Sequence, residues 1–438
     1  MNGWPESTLK SIRIWAVVAT ASLAAACSTL PRAPAPPPTA TSAAPAGFPA
    51  RVRFIGVDPE SFDRRAKAVM EAVRASAQGS PVNVLALSGG GAGGSFGAGA
   101  LVGMSRRGDR PTFHIVTGVS VGALLAPFAF LGSDWDPQML EALSDPHIRK
   151  KRLLHVGGPA ILFRSSVYAG GSLRAFVDGF VTQHLVDAVA GEAARGRLLL
   201  VATTDLDKAE TVIWDLGAIA AQGGEQARTL FRDVLVASAS IPGIFPPVLI
   251  HVRDGAREYD EMHVDGGTTT PFLVAPEISQ VDAGRALDLH GGKIYVLVNG
   301  SLSASTITTP DRALPVISRG FSASSMHGSR KTVELAAEFA RRNGMELEFS
   351  SIPASYPYRG PLGFETEEVR RLFEYGERCA ETGGLWTRLE ATVGEGRRTR
   401  TNSASELTCP GAADESSRFT VASSVDAAFS AKPTLAEP

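Results

Sequence analysis

The sequence predicts an α/β layered domain with a largely parallel sheet. Along the middle of the chain, short apolar runs of strand length alternate with longer helix-like runs. Two of the strand-to-helix junctions are built from glycine, and only 29 residues separate Gly91 in the first from Ser120 in the second. That is room for one helix and one strand, a single βαβ unit.

The elements follow in order. Residues 83–87 form a short apolar strand, 95–106 a helix, 112–117 a second strand and 121–131 a second apolar helix. Further strands are expected at 197–203, 211–215 and 293–298, with helices at 226–238, 330–342 and 367–380. Nothing in this pattern calls for a second domain. The 438 residues, 44% of them apolar, are enough for a substantial core. With 43 Lys+Arg against 45 Asp+Glu, the formal charge of −2 excludes the basic signature of a nucleic-acid binder.

The two ends read differently. Lys10 and Arg13 precede an uncharged, mainly apolar run, Ile14 to Ala26, of signal-peptide length and too short to span a bilayer comfortably. It ends Leu23-Ala24-Ala25-Ala26-Cys27, which resembles the lipobox of bacterial lipoproteins, with Ala24 where Leu is usual. Residues 1–27 are therefore expected to be a signal peptide whose Cys27 becomes lipidated and anchors the chain to a membrane. The alternative is ordinary cleavage after small residues. Ser28 after the Cys favours an outer-membrane lipoprotein of the bacterial envelope, facing the periplasm or the surface. Residues 28–50 are Pro/Ala-rich and expected to be an extended tether. The folded domain with its C-terminal helices is expected over 51–396, and 397–438 reads as a disordered tail. There are 3 cysteines, too few for a disulfide scaffold and lacking the close pairing of a zinc site. Cys379 is expected buried on a helix and Cys409 incidental in the tail, with pairing reserved for an oxidising compartment.

The chemistry concentrates at the glycine junctions. In Ser88-Gly89-Gly90-Gly91-Ala92-Gly93-Gly94, the absence of side chains leaves backbone N–H groups open at a helix N-terminus, a place for developing negative charge. Gly118-Val119-Ser120-Val121-Gly122 is a G-x-S-x-G elbow, whose small flanking residues let a tight turn project the Ser hydroxyl. Gly89-x-Gly91-x-x-Gly94 also fits a dinucleotide fingerprint, but Asp109 has the acidic spacing without the position, since it precedes the next strand. An α/β-hydrolase would need a further βα unit between the oxyanion loop and the nucleophile.

Together with Ala237-Ser238-Ala239-Ser240-Ile241-Pro242-Gly243-Ile244-Phe245-Pro246-Pro247 and Asp265-Gly266-Gly267, these motifs resemble the patatin-like phospholipase family, in family order from about Val82 to Asn299. The resemblance implies a three-layer α/β fold and hydrolysis of lipid acyl esters by a Ser120–Asp265 dyad. Gly89, Gly90, Gly91 and Gly94 would form the oxyanion hole, Gly118 and Gly122 the elbow, and Gly266 and Gly267 the turn that holds the acid. No metal or organic cofactor is implied, and the partner is a lipid or other acyl-ester substrate. Many family members carry Arg or Lys where this chain has Gly93. A Gly93→Ala change is expected to be mild and Gly91→Ala harmful, provided Gly93 does not need a positive φ.

The 237–247 stretch reads as a helix end stiffened by prolines, a wall without catalysis. Phe96, Leu124, Leu125, Phe128, Ile244 and Phe245 are candidates for an acyl channel, with core packing the plainer explanation of any one of them. Two rival functions stand beside the dyad. One is a His-dependent esterase recruiting His263, His290 or His327. The other is an envelope lipoprotein that binds lipid or a partner without turnover.

Overall fold

The structure, a computed structural model, describes residues 32–40, 42–54, 59–144, 171–274, 289–303, 306, 308–388 and 408–411. The signal segment with Cys27, and most of the expected tail, lie outside these residues.

In chain order the main elements are β1 (Ala44–Pro45), β2 (Arg53–Phe54), α1 (Pro59–Ser76), β3 (Asn83–Leu87), α2 (Gly94–Arg107), β4 (Ile115–Val119), α3 (Val121–Leu131), α4 (Asp136–Ser144), α5 (Gly171–Phe180), α6 (Gln183–Ala194), β5 (Leu198–Asp205), β6 (Glu210–Asp215), α7 (Leu216–Ala220), α8 (Gly224–Ser238), β7 (Val248–Asp254), β8 (Arg257–Asp265), β9 (Lys293–Val298), α9 (Ala313–Arg342), β10 (Glu346–Ser351), α10 (Thr366–Glu381) and β11 (Thr387–Arg388). The described strands join one sheet, ordered β1-β7-β8-β5-β4-β3-β9-β10-β11, with β6 also on β5 and β2 on β6. Its centre, β5-β4-β3-β9-β10, is parallel throughout. Antiparallel strands extend both margins.

The three layers follow from what the central strands bury. Leu85 and Leu87 face a core shared with α2, α3, α8 and α10, while Val84 and Ala86 face a second core with α1 and α9. Both faces are covered, which is why these strands read as continuous apolar runs and not as alternating ones. Each fully buried Leu, Val or Phe contributes about 1.5–3 kcal/mol against the entropy of folding. None of the described helices is long and apolar enough to cross a membrane.

Four expectations change. The 28–50 segment is not an extended tether over its described residues. Ala44–Pro45 pair with β7, Ala40, Ala43 and Phe48 pack on the core, and Arg32 binds Asp207 at 2.6 Å. Its few apolar groups find a sheet edge to cover, so the folded body begins earlier than residue 51. Second, Cys379 and Cys409 form a disulfide, so Cys409 is not incidental. Residues 408–411 dock beside α10, where Tyr375 donates to the Thr408 carbonyl at 2.7 Å and the Gly411 N–H to the Gly384 carbonyl, also at 2.7 Å. Third, the helix expected at 330–342 begins at Ala313, because its Ser/Ala/Gly-rich first half lacks the apolar periodicity that reveals a helix. Fourth, the β7–β8 hairpin, which ends in Asp265, was not expected as a pair of strands.

Candidate active site

Two strand ends meeting on β5 create the site. β4 runs parallel to β5 and pairs Val119 with Ala202 at its last residue. β8 arrives antiparallel on the same strand and pairs Asp265 with Thr203. The C-terminal ends of β4 and β8 therefore abut, and the next residue of the first strand, Ser120, stands against the last residue of the second.

Ser120 occupies φ 56° and ψ −126°, a conformation costly for any residue with a Cβ and tolerated where packing enforces it. The enforcement is visible on both sides. A side chain at Gly118 would stand 2.6 Å from the Gly122 carbonyl oxygen and the Ala123 Cα, and one at Gly122 would strike the Leu87 carbonyl. Ser238 fixes the turn from a third direction. Its hydroxyl accepts the Ser120 N–H at 3.0 Å and donates to the Ala202 carbonyl at 2.7 Å. The Ser240 carbonyl accepts the Asp265 N–H at 2.9 Å. The 237–247 stretch thus anchors the backbones of both key residues, a role its sequence did not announce.

The Ser120 hydroxyl donates to Asp265 Oδ2 at 2.6 Å, and the other carboxylate oxygen accepts the Gly267 N–H at 2.7 Å. Asp265 is completely buried, and burial pushes its carboxyl up to about 7, even though both hydrogen bonds favour the anion. Gly266 lets the turn pass the β5 backbone, since a side chain there would stand 2.5 Å from the Ala202 carbonyl oxygen.

The glycine loop lies against Ser120, where a Cβ on Gly89 would be 3.2 Å from the Ser120 Cβ. Of its N–H groups, Gly89 donates to the Pro271 carbonyl, Ala92 to Pro361, Gly93 to Gly90, and Gly94 back into the turn. Of the four glycines expected to form an oxyanion hole, only Gly90 and Gly91 thus offer an N–H without an acceptor among the described residues. Gly89 and Gly94 serve by close approach, the latter because a side chain would run into Val121. The loop carbonyls are also held, Gly89 by the Ser88 hydroxyl at 2.7 Å and Gly90 by the Tyr358 hydroxyl at 2.9 Å. Gly93 has φ −62°, so its backbone is ordinary, yet a Cβ there would collide with the Asn299 carbonyl. The expected mildness of Gly93→Ala is corrected by that contact.

Gly89 and Gly90 open onto a cavity of about 240 Å³ between the first half of α9 and residues 358–361, lined by Ser318, Arg319, Phe321 and Arg359 among others. Ile241, Ile244 and Phe245 form a small apolar cluster with Leu173, Phe321 and Leu362, and Phe321 also lines that cavity. Of the acyl-channel candidates, Phe96, Leu125 and Phe128 are buried in the main core and Leu124 packs against it.

No histidine among the described residues hydrogen-bonds Ser120 or Asp265. His263 is buried, its ring nitrogens on Thr203 and Glu261. His290 sits on the Gly344 carbonyl, and His327 is exposed. Asp205, Glu261 and His263 bring metal-type ligand atoms together, but Lys208 bridges Asp205 and Glu261, and Arg53 pairs with Glu261. Two cations already balance two carboxylates there.

Residues 85–276 match the model of a family described as patatin-like phospholipase. Among solved structures, VipD from Legionella pneumophila is similar with TM-score 0.39 and 12% identity, covering 70% of this chain and 68% of that one. Human GIVD cytosolic phospholipase A2 gives TM-score 0.30 and 14% identity, covering 69% of this chain and 51% of that one, so this chain spans about half its length. No curated protein sequence matches.

Proposed function

We propose that this chain hydrolyses lipid acyl esters through a Ser120 acyl-enzyme, with Asp265 as the base. The observation that carries the reading is the 2.6 Å hydrogen bond from the Ser120 hydroxyl to a buried carboxylate that titrates near neutrality. An ordinary carboxylate is too weak a base at pH 7, whereas one pushed up to about 7 is matched to the task. In the first step Ser120 Oγ bonds to the ester carbonyl carbon as its proton passes to Asp265, and the carbonyl oxygen takes the charge toward Gly90 and Gly91 N–H. Collapse expels the alcohol, which takes the proton from Asp265. Water then attacks the acyl carbon, giving a proton to the same carboxylate, which passes it to Ser120 Oγ as the Ser120–acyl bond breaks and the fatty acid leaves.

The match to a phospholipase family model over the residues that carry the dyad supports a lipid ester as substrate. The cavity beside Gly89, lined by both hydroxyl and apolar groups, suits an amphiphile. Export as a Cys27-anchored envelope lipoprotein belongs to the same reading. The Cys379–Cys409 disulfide supports export, because such bonds persist in oxidising compartments.

Fluorophosphonate labelling together with hydrolysis of a short-chain ester tests the mechanism. Ser120→Ala should abolish both, and Asp265→Asn should reduce turnover by roughly 1,000-fold or more with the fold intact by circular dichroism. Single replacements of His263, His290 and His327 should leave labelling in place. One essential histidine would establish a triad instead, and no labelling of the wild type would favour a binding protein.

A further inference from the structure

We propose that Tyr358 is a positioning residue for the oxyanion hole, holding the Gly90–Gly91 peptide so that the Gly91 N–H faces the reacting carbonyl. This rests on the reading of Ser120 as the nucleophile.

In a planar trans peptide the carbonyl of one residue and the N–H of the next point in opposite directions, so fixing one fixes the other. The Gly90 carbonyl, which shares its peptide with the Gly91 N–H, receives the Tyr358 hydroxyl at 2.9 Å and the Gly93 N–H at 3.0 Å. The neighbouring peptide is treated the same way, the Gly89 carbonyl taking the Ser88 hydroxyl at 2.7 Å and leaving the Gly90 N–H on the far side. The two pinned carbonyls precede the two N–H groups of the loop that lack an acceptor among the described residues. Glycine peptides rotate readily, and Gly91 sits at φ +54°, so the orientation needs an external hold.

That hold comes from residues 358–361, 268 positions away in sequence, which clamp the loop from outside. The Pro361 carbonyl accepts the Ala92 N–H at 2.9 Å. Room for the phenol exists because position 93 has no side chain: a Cβ on Gly93 would stand 2.8 Å from the Tyr358 hydroxyl. Tyr358, Gly89 and Gly90 line the same cavity.

Tyr358→Phe removes only the hydroxyl and tests the claim in the purified chain. The readouts are kcat and KM on p-nitrophenyl butyrate, and affinity for a trifluoromethyl ketone, which adds Ser120 to form an oxyanion. Complete loss of one oxyanion donor costs about 100- to 1,000-fold, so a misaimed donor should cost about tenfold in kcat. KM should stay within about twofold, and ketone affinity should fall by the same factor as kcat, since both report the charged tetrahedral state. Tyr356→Phe, in the same segment, should behave as wild type. Unchanged kcat and ketone affinity in Tyr358→Phe overturn the proposal. So does a loss that appears in KM, or in thermal stability with a matching drop in titratable sites. Ser120→Ala is run alongside: if it retains activity, the nucleophile assignment fails, whatever Tyr358→Phe does.

Discussion

Burial pushes the Asp265 carboxyl up to about 7, while hydrogen bonds from Ser120 and Gly267 pull it down without overcoming the loss of solvent. In the unfolded chain the same group titrates near its ordinary value of about 3.9. The folded state therefore holds a proton that the unfolded state releases, and the stability this gives is fully present below about pH 4 and lost as pH rises through 7. Wild-type stability should fall across that window, by up to about 4 kcal/mol from this group. Asp265→Asn should flatten the slope, so that the inactive variant is the more stable protein at pH 8 and has no such advantage at pH 4, as denaturant melts at both values will show. Over the same range the kcat/KM of wild type should rise with an apparent pKa near 7. A second residue-scale expectation concerns position 93. Because an added methyl meets the Asn299 carbonyl, Gly93→Ala should lower turnover by more than about tenfold, approaching Gly91→Ala, whose methyl meets Pro361. Ester turnover of the two variants measures this. Ser120 and the glycines stood out in the sequence because each sits at a strand-to-helix junction with a local signature, whereas Asp265 stood out only through the order of the family-like motifs. Ser238 and Tyr358 did not, since their meaning lies in contacts 118 and 268 residues away.

Among elements, the helix that follows the glycine loop is held by an unusually close neighbour. Side chains at Gly99 and Gly103 on α2 would run into the Phe373 and Glu377 carbonyls of α10, and one at Gly376 would run into the Phe96 carbonyl. Three glycines thus let the backbones of α2 and α10 touch. The disulfide then ties α10 to residues 408–411 across 30 positions. Breaking it with Cys409→Ser should cost roughly 3 kcal/mol by the loop-entropy account. Gly103→Val should cost about 1–3 kcal/mol through overpacking against the Glu377 carbonyl. Thermal melts of both variants, with and without reductant, check this: reductant should lower the wild-type midpoint to that of Cys409→Ser and leave the variant unmoved. The central strands and α2, α3 and α8 were legible from apolar period and glycine caps. β8 was not, because Glu261 and His263 are buried along it in an ion-paired network that erases the alternation a strand should show. Charges are tolerated there only because Arg53 and Lys208 come from distant parts of the chain.

At the scale of the molecule, residues 32–40 and 42–54 hold to the sheet beside β6, β7 and β8, so few residues separate the proposed anchor from the folded body. Lipidation at Cys27 would then hold the catalytic domain close to a membrane surface, where an amphiphilic substrate is already concentrated. Such attachment is strong in energetic terms: each buried acyl methylene contributes about 0.8 kcal/mol, and two or more chains make binding effectively stable, whereas one chain alone is marginal. The mature wild-type protein should therefore begin at Cys27, fractionate with membranes, and resist extraction by high salt while yielding to detergent. Cys27→Ser should accumulate as unprocessed precursor or appear as soluble protein, without loss of Ser120 labelling, because among the described residues the hydrogen bonds to Ser120, Asp265 and the glycine loop come from outside residues 32–54. Cys379 and Cys409 should be unreactive to alkylation in that mature protein until reductant is added, which separates export from retention independently of the anchor. A wild-type chain that begins elsewhere and stays soluble, with its thiols oxidised, would keep the export reading and discard the lipoprotein. Free thiols in the same fraction would discard both.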